Sequence, residues 1–482
     1  MDAADLLTRL APLIDGGSPT SRRIAAAMAA AIADGRLPVG GRLPSERELA
    51  AALGVSRGTV VRTYTRLRDE GLVRTTHGAG TTVGGGRGDQ VPLASLRADG
   101  VVAAVGQHEQ GMIDLRVAAW DGDEDLADAL RVDPAEQARA VHRQDGYWPQ
   151  GLPALRELLA QRLTGLGLPT DAEQLLITNG AQQAIDIVLT SIARPGDPVL
   201  IEETTWPGLV ELLPIRHLRP ATVPLAAHDH VGLLRALRER RADVAYLIPS
   251  FHNPTGAVMP APVRRLVVEA AVSSGATVIE DLALAELWMD APPPPPLAAI
   301  LPEAADRVVT IGSLSKTLWG GLRLGWIRAE EGLLRHLVGI KTVCDLGTGV
   351  PSQLAAIQAL AHADRIVARR RVELRERRDR ALAALARHLP DWRTAVPAGG
   401  MSLWVDVGGQ DADQIARRAR EHGVRVPSAR VCSADGRALG HLRLTLARPA
   451  EELEEAVARL AAASRGVTTG GLPGLAADVG RV

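Results

Sequence analysis

Lys316 lies in the stretch Gly312-Ser-Leu-Ser-Lys-Thr-Leu-Trp-Gly-Gly-Leu-Arg-Leu-Gly-Trp, directly after the apolar run Val308-Val-Thr-Ile-Gly. It is one of two lysines in 482 residues; the other is Lys341, in a helical stretch without such neighbours. A lysine amine can condense with an aldehyde when its surroundings lower its affinity for a proton. Ser313, Ser315 and Arg323 around it supply two hydroxyls and a planar, permanently charged fork, the groups that cup a phosphate. The glycines let backbone approach a ligand closely.

Other residues fit the same ligand. Asn253, in Phe251-His-Asn-Pro-Thr-Gly, can hydrogen-bond a phenolate oxygen. Asp281, 35 residues before Lys316, ends an apolar run and can hold a protonated ring nitrogen. Gly180, Ala181 and Gln182 follow the run Leu175–Thr178 and open a helix whose N–H groups and dipole suit a phosphate. Trp206 follows another run and can stack on a ring. His252 and Cys432 show no recognisable catalytic arrangement.

Those residues need strand ends to hold them. Short apolar runs begin at Leu175, Pro198, Val244, Thr277, Val308 and Gly325, with helical stretches between most of them. Alternation of this kind predicts an α/β fold with a mainly parallel sheet. A long Arg/Glu-rich helix is expected over about 364–389, its charges a solvated face. Met401–Val407 and His441–Leu446 read as strands of a smaller α+β domain. The expected layout is a head at 1–83, a linker at 84–112, a large domain at 113–345, a small domain at 346–466 and a flexible tail at 467–482.

The head carries different signals. Ser45 and Glu48 form a capping box for one helix, which Gly54 ends. Ser56 caps the next, which runs to about Glu70. Leu72 to Val83, broken by Gly78-Ala-Gly, reads as a β-hairpin or wing. Two helices joined by a tight turn form a helix-turn-helix, whose second helix enters the major groove by its N-terminal end. That end would present Ser56, Arg57, Thr59, Val60 and Arg62. Residues 1–83 hold 11 arginines against 8 acids, a net of +3, although the whole chain is at -1. Any nucleic-acid site must therefore be a local patch.

Two cysteines leave no disulfide scaffold and argue against a cysteine zinc site, so no metal is expected. With no long apolar stretch and no secretory signal pattern, the expectation is a cytoplasmic protein without membrane contact.

The head resembles the GntR-type winged helix. The resemblance rests on Gly35-Arg-Leu-Pro-Val-Gly-Gly-Arg-Leu-Pro-Ser-Glu-Arg-Glu-Leu-Ala, Leu53-Gly-Val-Ser-Arg-Gly-Thr-Val, Leu67-Arg-Asp-Glu-Gly-Leu-Val and Gly78-Ala-Gly-Thr. It implies that Ser45, Arg47, Arg57, Thr59 and Gly80 lie at double-stranded DNA. The remainder resembles fold-type I aminotransferases, carried by Gly180-Ala-Gln-Gln, Trp206-Pro-Gly, Asn253-Pro-Thr-Gly, Asp281, Ser313-Leu-Ser-Lys and Arg323. Together the two halves resemble the MocR/GabR group of regulators, over residues 20–465.

That resemblance implies pyridoxal 5'-phosphate as cofactor, with Lys316 as its aldimine lysine and Asp281 as its pyridinium partner. Asn253 would bind the ring oxygen and Trp206 would stack. Gly180, Ala181, Gln182, Ser313, Ser315 and Arg323 would surround the phosphate. It further implies a homodimer on paired half-sites, Tyr147 reaching the phosphate of the partner subunit, and Arg443 gripping an effector's carboxylate. The effector would be an amino compound or the cofactor itself. A working aminotransferase with an accessory DNA-binding domain stays open, as does a repressor with a vestigial pocket. The sequence departs from the family at Ala283 and Leu284, where a tyrosine is common, and at Ala181, where a hydroxyl is common. Each lost hydrogen bond weakens cofactor binding by on the order of 1 kcal/mol, which favours sensing over turnover.

Overall fold

The computed structural model describes residues 6, 20–33, 37, 41–69, 72–76, 80–83, 109, 111–122, 124–142, 145–224, 230–434 and 440–467. Most of the expected linker, the wing tip at 78–79 and the tail beyond 467 lie outside the described residues. The chain divides into two compact units, Met1–Val105 and Gly106–Val482.

The first unit has helices α1 (Ser21–Ala33), α2 (Glu46–Leu53) and α3 (Arg57–Asp69), then strands β1 (Val73–Thr76) and β2 (Gly80–Val83). The capping box at Ser45 and Glu48 is present, and Gly54 ends α2 in the left-handed conformation. β1 and β2 pair antiparallel, Val73 opposite Val83. Backbone from Gly41 to Leu43 adds to this ribbon, Leu43 N–H donating to Thr81 O and Val83 N–H to Gly41 O. Val60 is not on the outer face where its place near the N-terminus of α3 suggested. It is buried with Tyr64 and Leu67. The spacing 60, 64, 67 is the apolar stripe of a 3.6-residue helix, and that stripe faces the core.

The second unit centres on a seven-stranded sheet in the order β4-β10-β9-β8-β7-β5-β6. Its strands are β4 (Leu175–Thr178), β5 (Pro198–Glu202), β6 (Arg219–Val223), β7 (Val244–Leu247), β8 (Thr277–Asp281), β9 (Val308–Ser313) and β10 (Gly325–Arg328). Only β10 runs antiparallel, to both of its neighbours. Parallel strands covered on both faces need apolar side chains in both directions, hence the continuous runs of the sequence. Leu200, Ala245, Leu247 and Val278 pack on one face with helices Pro153–Gly165 and Ala261–Ser274. Ile201, Tyr246, Ile279 and Ile311 pack on the other with helices α4 (Ala181–Ile192) and α6 (Glu331–Asp345). A four-residue helical turn, α5 (Leu314–Thr317), leaves β9 and carries Lys316.

A smaller sheet of β11 (Arg393–Thr394), β12 (Ser402–Asp406) and β14 (His441–Thr445) packs with α7 (Ala363–His388), α8 (Ala412–Glu421) and α9 (Ala450–Ser464). Here β3 (Ile113–Asp114) pairs parallel with β13 (Val424–Arg425), so the chain entering from the linker joins the small sheet's side first. Among the described residues no helix is long and apolar enough to cross a membrane.

In the head, the buried Tyr64 hydroxyl donates to Pro44 O at 2.8 Å. Tyr64→Phe leaves that carbonyl without its donor and should cost the head about 1–2 kcal/mol. A urea melt followed by helical circular dichroism measures the loss; an unchanged midpoint would contradict the bond's role.

Candidate cofactor site and DNA interface

In open α/β sheets, ligands sit beyond the carboxyl ends of the strands. Gly180 follows β4, Trp206 follows β5, Asn253 follows β7, Asp281 ends β8, Ser313 ends β9 and Lys316 follows it. The topology thus brings these sequence-separated residues to one edge. Arg443 reaches the same place from β14, in the other sheet.

Lys316 is half-buried, with its Nζ 6.0 Å from the centre of the Trp206 ring. Burial, then the cations Arg443 and Arg323, hold its pKa down at about 8, while Asp281 acts in the opposite direction. Both effects favour the uncharged, nucleophilic amine. Asp281 is buried; its Oδ2 accepts from Tyr246 Oη at 2.6 Å and its Oδ1 from Ala283 N–H at 2.8 Å. Burial raises the Asp281 carboxyl above its ordinary value; the Tyr246 bond, the Ala283 N–H and Lys316 oppose that rise.

Gly180 caps α4 with φ at 88°, and a Cβ there would stand 3.0 Å from Arg323 Nη2. The guanidinium therefore lies against the helix start, and Arg323 Nη2 donates to Asn179 O at 3.0 Å. Asn179 is fixed from below, its side chain donating to Asp345, which pairs with Lys341 Nζ at 2.7 Å. The second lysine of the chain thus supports the cup without entering it.

Not every expected phosphate ligand points into the cup. The Ser313 hydroxyl caps α5 by accepting from Ser315 N–H and also donates to Leu324 O at 3.3 Å. Gln182 bridges sideways, accepting from Trp206 Nε1 and donating to Gly208 O, both at 2.8 Å, so it orients the tryptophan. Ala181 offers the backbone of the first turn of α4. Ser315 Oγ, Asn253 Oδ1 and Thr205 Oγ1 are buried and find no hydrogen-bond partner among the described residues. Leaving each so costs roughly 1–3 kcal/mol. A hydroxyl after β9, an amide oxygen after β7 and a second hydroxyl after β5, at the sheet edge that also carries Lys316, Arg323 and Asp281, fit a phosphorylated, hydroxyl-bearing heteroaromatic ring. Tyr147 is 61% exposed, and its backbone N–H donates to Asp145 Oδ1 at 3.0 Å.

Sequence reasoning missed one element of the site. Residues 109 and 111–121 cross it as a strap. Lys316 Nζ donates to Ala118 O at 2.6 Å, and Trp120 Nε1 donates to Lys316 O at 2.6 Å. Arg443 Nη2 donates to Arg116 O, while the buried Arg443 Nε has no partner among the described residues. The strap is pinned by Arg425 on Glu109 and by Arg448 on Asp121. These contacts join residues about 200 to 330 positions apart, and nothing local signals them.

On the head, Ser45, Arg47, Ser56, Arg57 and Arg62 are exposed around the start of α2 and of α3, with Thr59 half-buried. Ser56 Oγ bonds Thr59 Oγ1 at 2.9 Å, closing the N-terminal turn of α3. The Arg57 side chain is 72% exposed and pairs with Glu46 at 3.0 Å. Gly80, at the start of β2, sits against the Arg42 guanidinium.

The family model for bacterial regulatory proteins of the gntR family matches residues 20–83. The model for aminotransferase class I and II matches residues 111–460. An uncharacterized HTH-type transcriptional regulator, YdfD, of Bacillus subtilis (strain 168) is 28% identical over 413 residues, covering 81% of this chain and 84% of the relative. A 2-aminoadipate transaminase of Thermus thermophilus is 33% identical over 347 residues, covering 69% of this chain and 86% of the relative. The crystal structure of LysN, an alpha-aminoadipate aminotransferase from Thermus thermophilus complexed with N-(5'-phosphopyridoxyl)-L-leucine, superposes with a TM-score of 0.67. It is 30% identical and covers 76% of this chain and 96% of that one.

The lowered proton affinity of Lys316 has a kinetic signature. Its condensation with an added aldehyde should speed up as pH rises through about 8 and level off above. Arg443→Ala removes a neighbouring cation and should move that midpoint upward. A wild-type midpoint near the ordinary lysine value, in a stopped-flow pH series, would show that the site does not depress this amine.

Proposed function

We propose that this chain, a member of the class I and II aminotransferase family joined to a GntR-family DNA-binding head and so a transcription regulator of MocR type, senses an amino compound, or pyridoxal 5'-phosphate itself, at Lys316. The observation that carries the reading is one lysine, held near neutrality at the ends of five strands, in a chain that also carries a winged helix. The cofactor supplies an aldehyde for an amine and a ring that accepts an electron pair.

The protein's own residues do the rest. Lys316 provides the amine with which an incoming amino compound competes. Asp281 holds positive charge at the ring nitrogen, and Asn253 meets the ring oxygen. Ser315, Arg323 and the first N–H groups of α4 hold the phosphate, with Tyr147 of the partner subunit completing the cup. Arg443 takes the effector's carboxylate.

In sequence, the strap is the segment of the site that stands closest to the head. The carbonyls of Arg116 and Ala118 occupy the donors of Arg443 and Lys316. A ligand that takes the Lys316 amine together with Arg443 Nη2 displaces both strap carbonyls. In a cytoplasmic homodimer, released straps would reset the two heads on paired half-sites, with α3 in the major groove. Ser45, Arg47, Ser56, Arg57, Thr59, Arg62 and Gly80 make up the proposed contact surface, Arg57 leaving Glu46 for the DNA.

Two measurements test the reading. Purified protein should show the visible band of lysine-bound cofactor, and Lys316→Ala should lose it; absence from both would remove the cofactor reading. Arg57→Ala should abolish the specific mobility shift of the chain's own promoter region while leaving that band intact. Retained specificity would mean that α3 is not the reading helix. A turnover assay over amino-acid and keto-acid pairs separates sensing from transamination, which uses the same residues.

A further inference from the structure

The chain has three tyrosines, and one of them, Tyr246, is fully buried in the middle of the large sheet. It lies on β7 opposite Ile279 of β8, two residues before Asp281. From there its ring runs towards the carboxyl end of the sheet, and its hydroxyl meets Asp281 Oδ2 at 2.6 Å. Other groups face this pair. Ala283 N–H donates to Asp281 Oδ1, Lys316 attracts the carboxylate, and Glu202 adds negative charge near the phenol. Glu202 is itself buried, with His252 Nε2 at 3.1 Å.

We infer that Tyr246 is a positioning residue for the cofactor's ring nitrogen, acting through Asp281. The inference rests on the reading of Asp281 as the partner of that nitrogen. A carboxyl group in apolar surroundings tends to take up a proton, and a protonated Asp281 would offer no counter-charge to a pyridinium. A hydrogen bond donated to the charged form favours that form, and such charge-assisted bonds are roughly twice as strong as neutral ones. Burial in turn keeps the phenol protonated: it and the adjacent carboxylate hold the Tyr246 hydroxyl well above its ordinary value, so it stays a donor. The backbone fixes the arrangement, because β7 and β8 are hydrogen-bonded neighbours in register.

This places a tyrosine in the site by a different route from the one lost at Ala283 and Leu284. Tyr246 cannot replace the missing hydroxyl at the ring oxygen, since its own is committed to Asp281. It acts instead on how strongly the ring holds its charge.

The test is a double-mutant cycle on the full chain, with pyridoxal 5'-phosphate as the added ligand. Tyr246→Phe removes one oxygen atom and keeps the ring. It should weaken cofactor binding about tenfold and change the ratio of the bound cofactor's visible to near-ultraviolet absorbance at fixed pH. In an Asp281→Asn background, the same substitution should add nothing to either readout. Unchanged affinity and spectrum in Tyr246→Phe, or effects that simply add to those of Asp281→Asn, would overturn the inference. Wild-type protein that binds no cofactor would instead strike the reading of the whole site.

A second measurement needs no change at Tyr246. Chain labelled with 3-fluorotyrosine should give three fluorine resonances. The Tyr246 resonance, assigned by elimination with Tyr64→Phe and Tyr147→Phe because Tyr64 is buried as well, should shift when cofactor is added and when Asp281 becomes Asn; a resonance indifferent to both would also overturn the inference.

Discussion

Keeping one lysine amine close to neutrality demands burial and neighbouring positive charge together, and no single element of this fold supplies both. The β9–α5 turn and the Trp206 ring remove Lys316 from water. Arg323 comes from the turn that leads into β10 of the large sheet, and Arg443 comes from β14 of the small one. The site therefore exists only while the two sheets are docked. Each cation also needs an anchor of its own: Arg323 rests on Asn179, which rests on Asp345 and Lys341, and Arg443 rests on the strap. Of the two lysines, Lys316 stands at the site and Lys341 braces it from below.

The docking itself is visible in the loop that carries Asn253. Phe251, the chain's one phenylalanine, is buried with a positive φ of 57°. Its ring lies where a Cβ on Gly399 would stand, 2.4 Å from such an atom. A bare glycine in the small sheet's approach loop thus lets the ring seat fully. A shift of the small sheet would be felt at Asn253, two residues away along the chain.

Much of this architecture is legible in the sequence, for a physical reason. Strand ends, caps and phosphate-binding turns are contiguous, so Lys316, Arg323, Gly180 and the capping box of α2 announce themselves locally. Tertiary partners do not. Nothing near Ala118 marks its carbonyl as the acceptor for Lys316, and nothing near Tyr246 marks it as the donor to Asp281. β6 escapes a reading by apolar runs because Arg219-Pro-Ala-Thr-Val is an exposed edge strand with a proline, where apolar patterning is weak. Position along α3 suggests the outer face for Val60, but the periodicity of the helix decides, and it sends Val60 inward. By type Ser313 suits a phosphate, whereas its hydroxyl serves the backbone of α5.

The strap has one more implication. For a ligand of the kind proposed, the backbone carbonyls bonded to Lys316 and Arg443 would be a tethered competitor, present at an effective concentration set by the chain and not by the cell. Under the proposed function, the apparent affinity for ligand is reduced by the fraction of sites whose strap is closed, and that fraction sets the response threshold. Because the competing atoms are main-chain, side-chain substitution at 116 or 118 leaves them in place. The threshold is adjustable instead through the outer pins, Arg425 on Glu109 and Arg448 on Asp121. Sensitivity can thus drift there while the reactive centre stays intact.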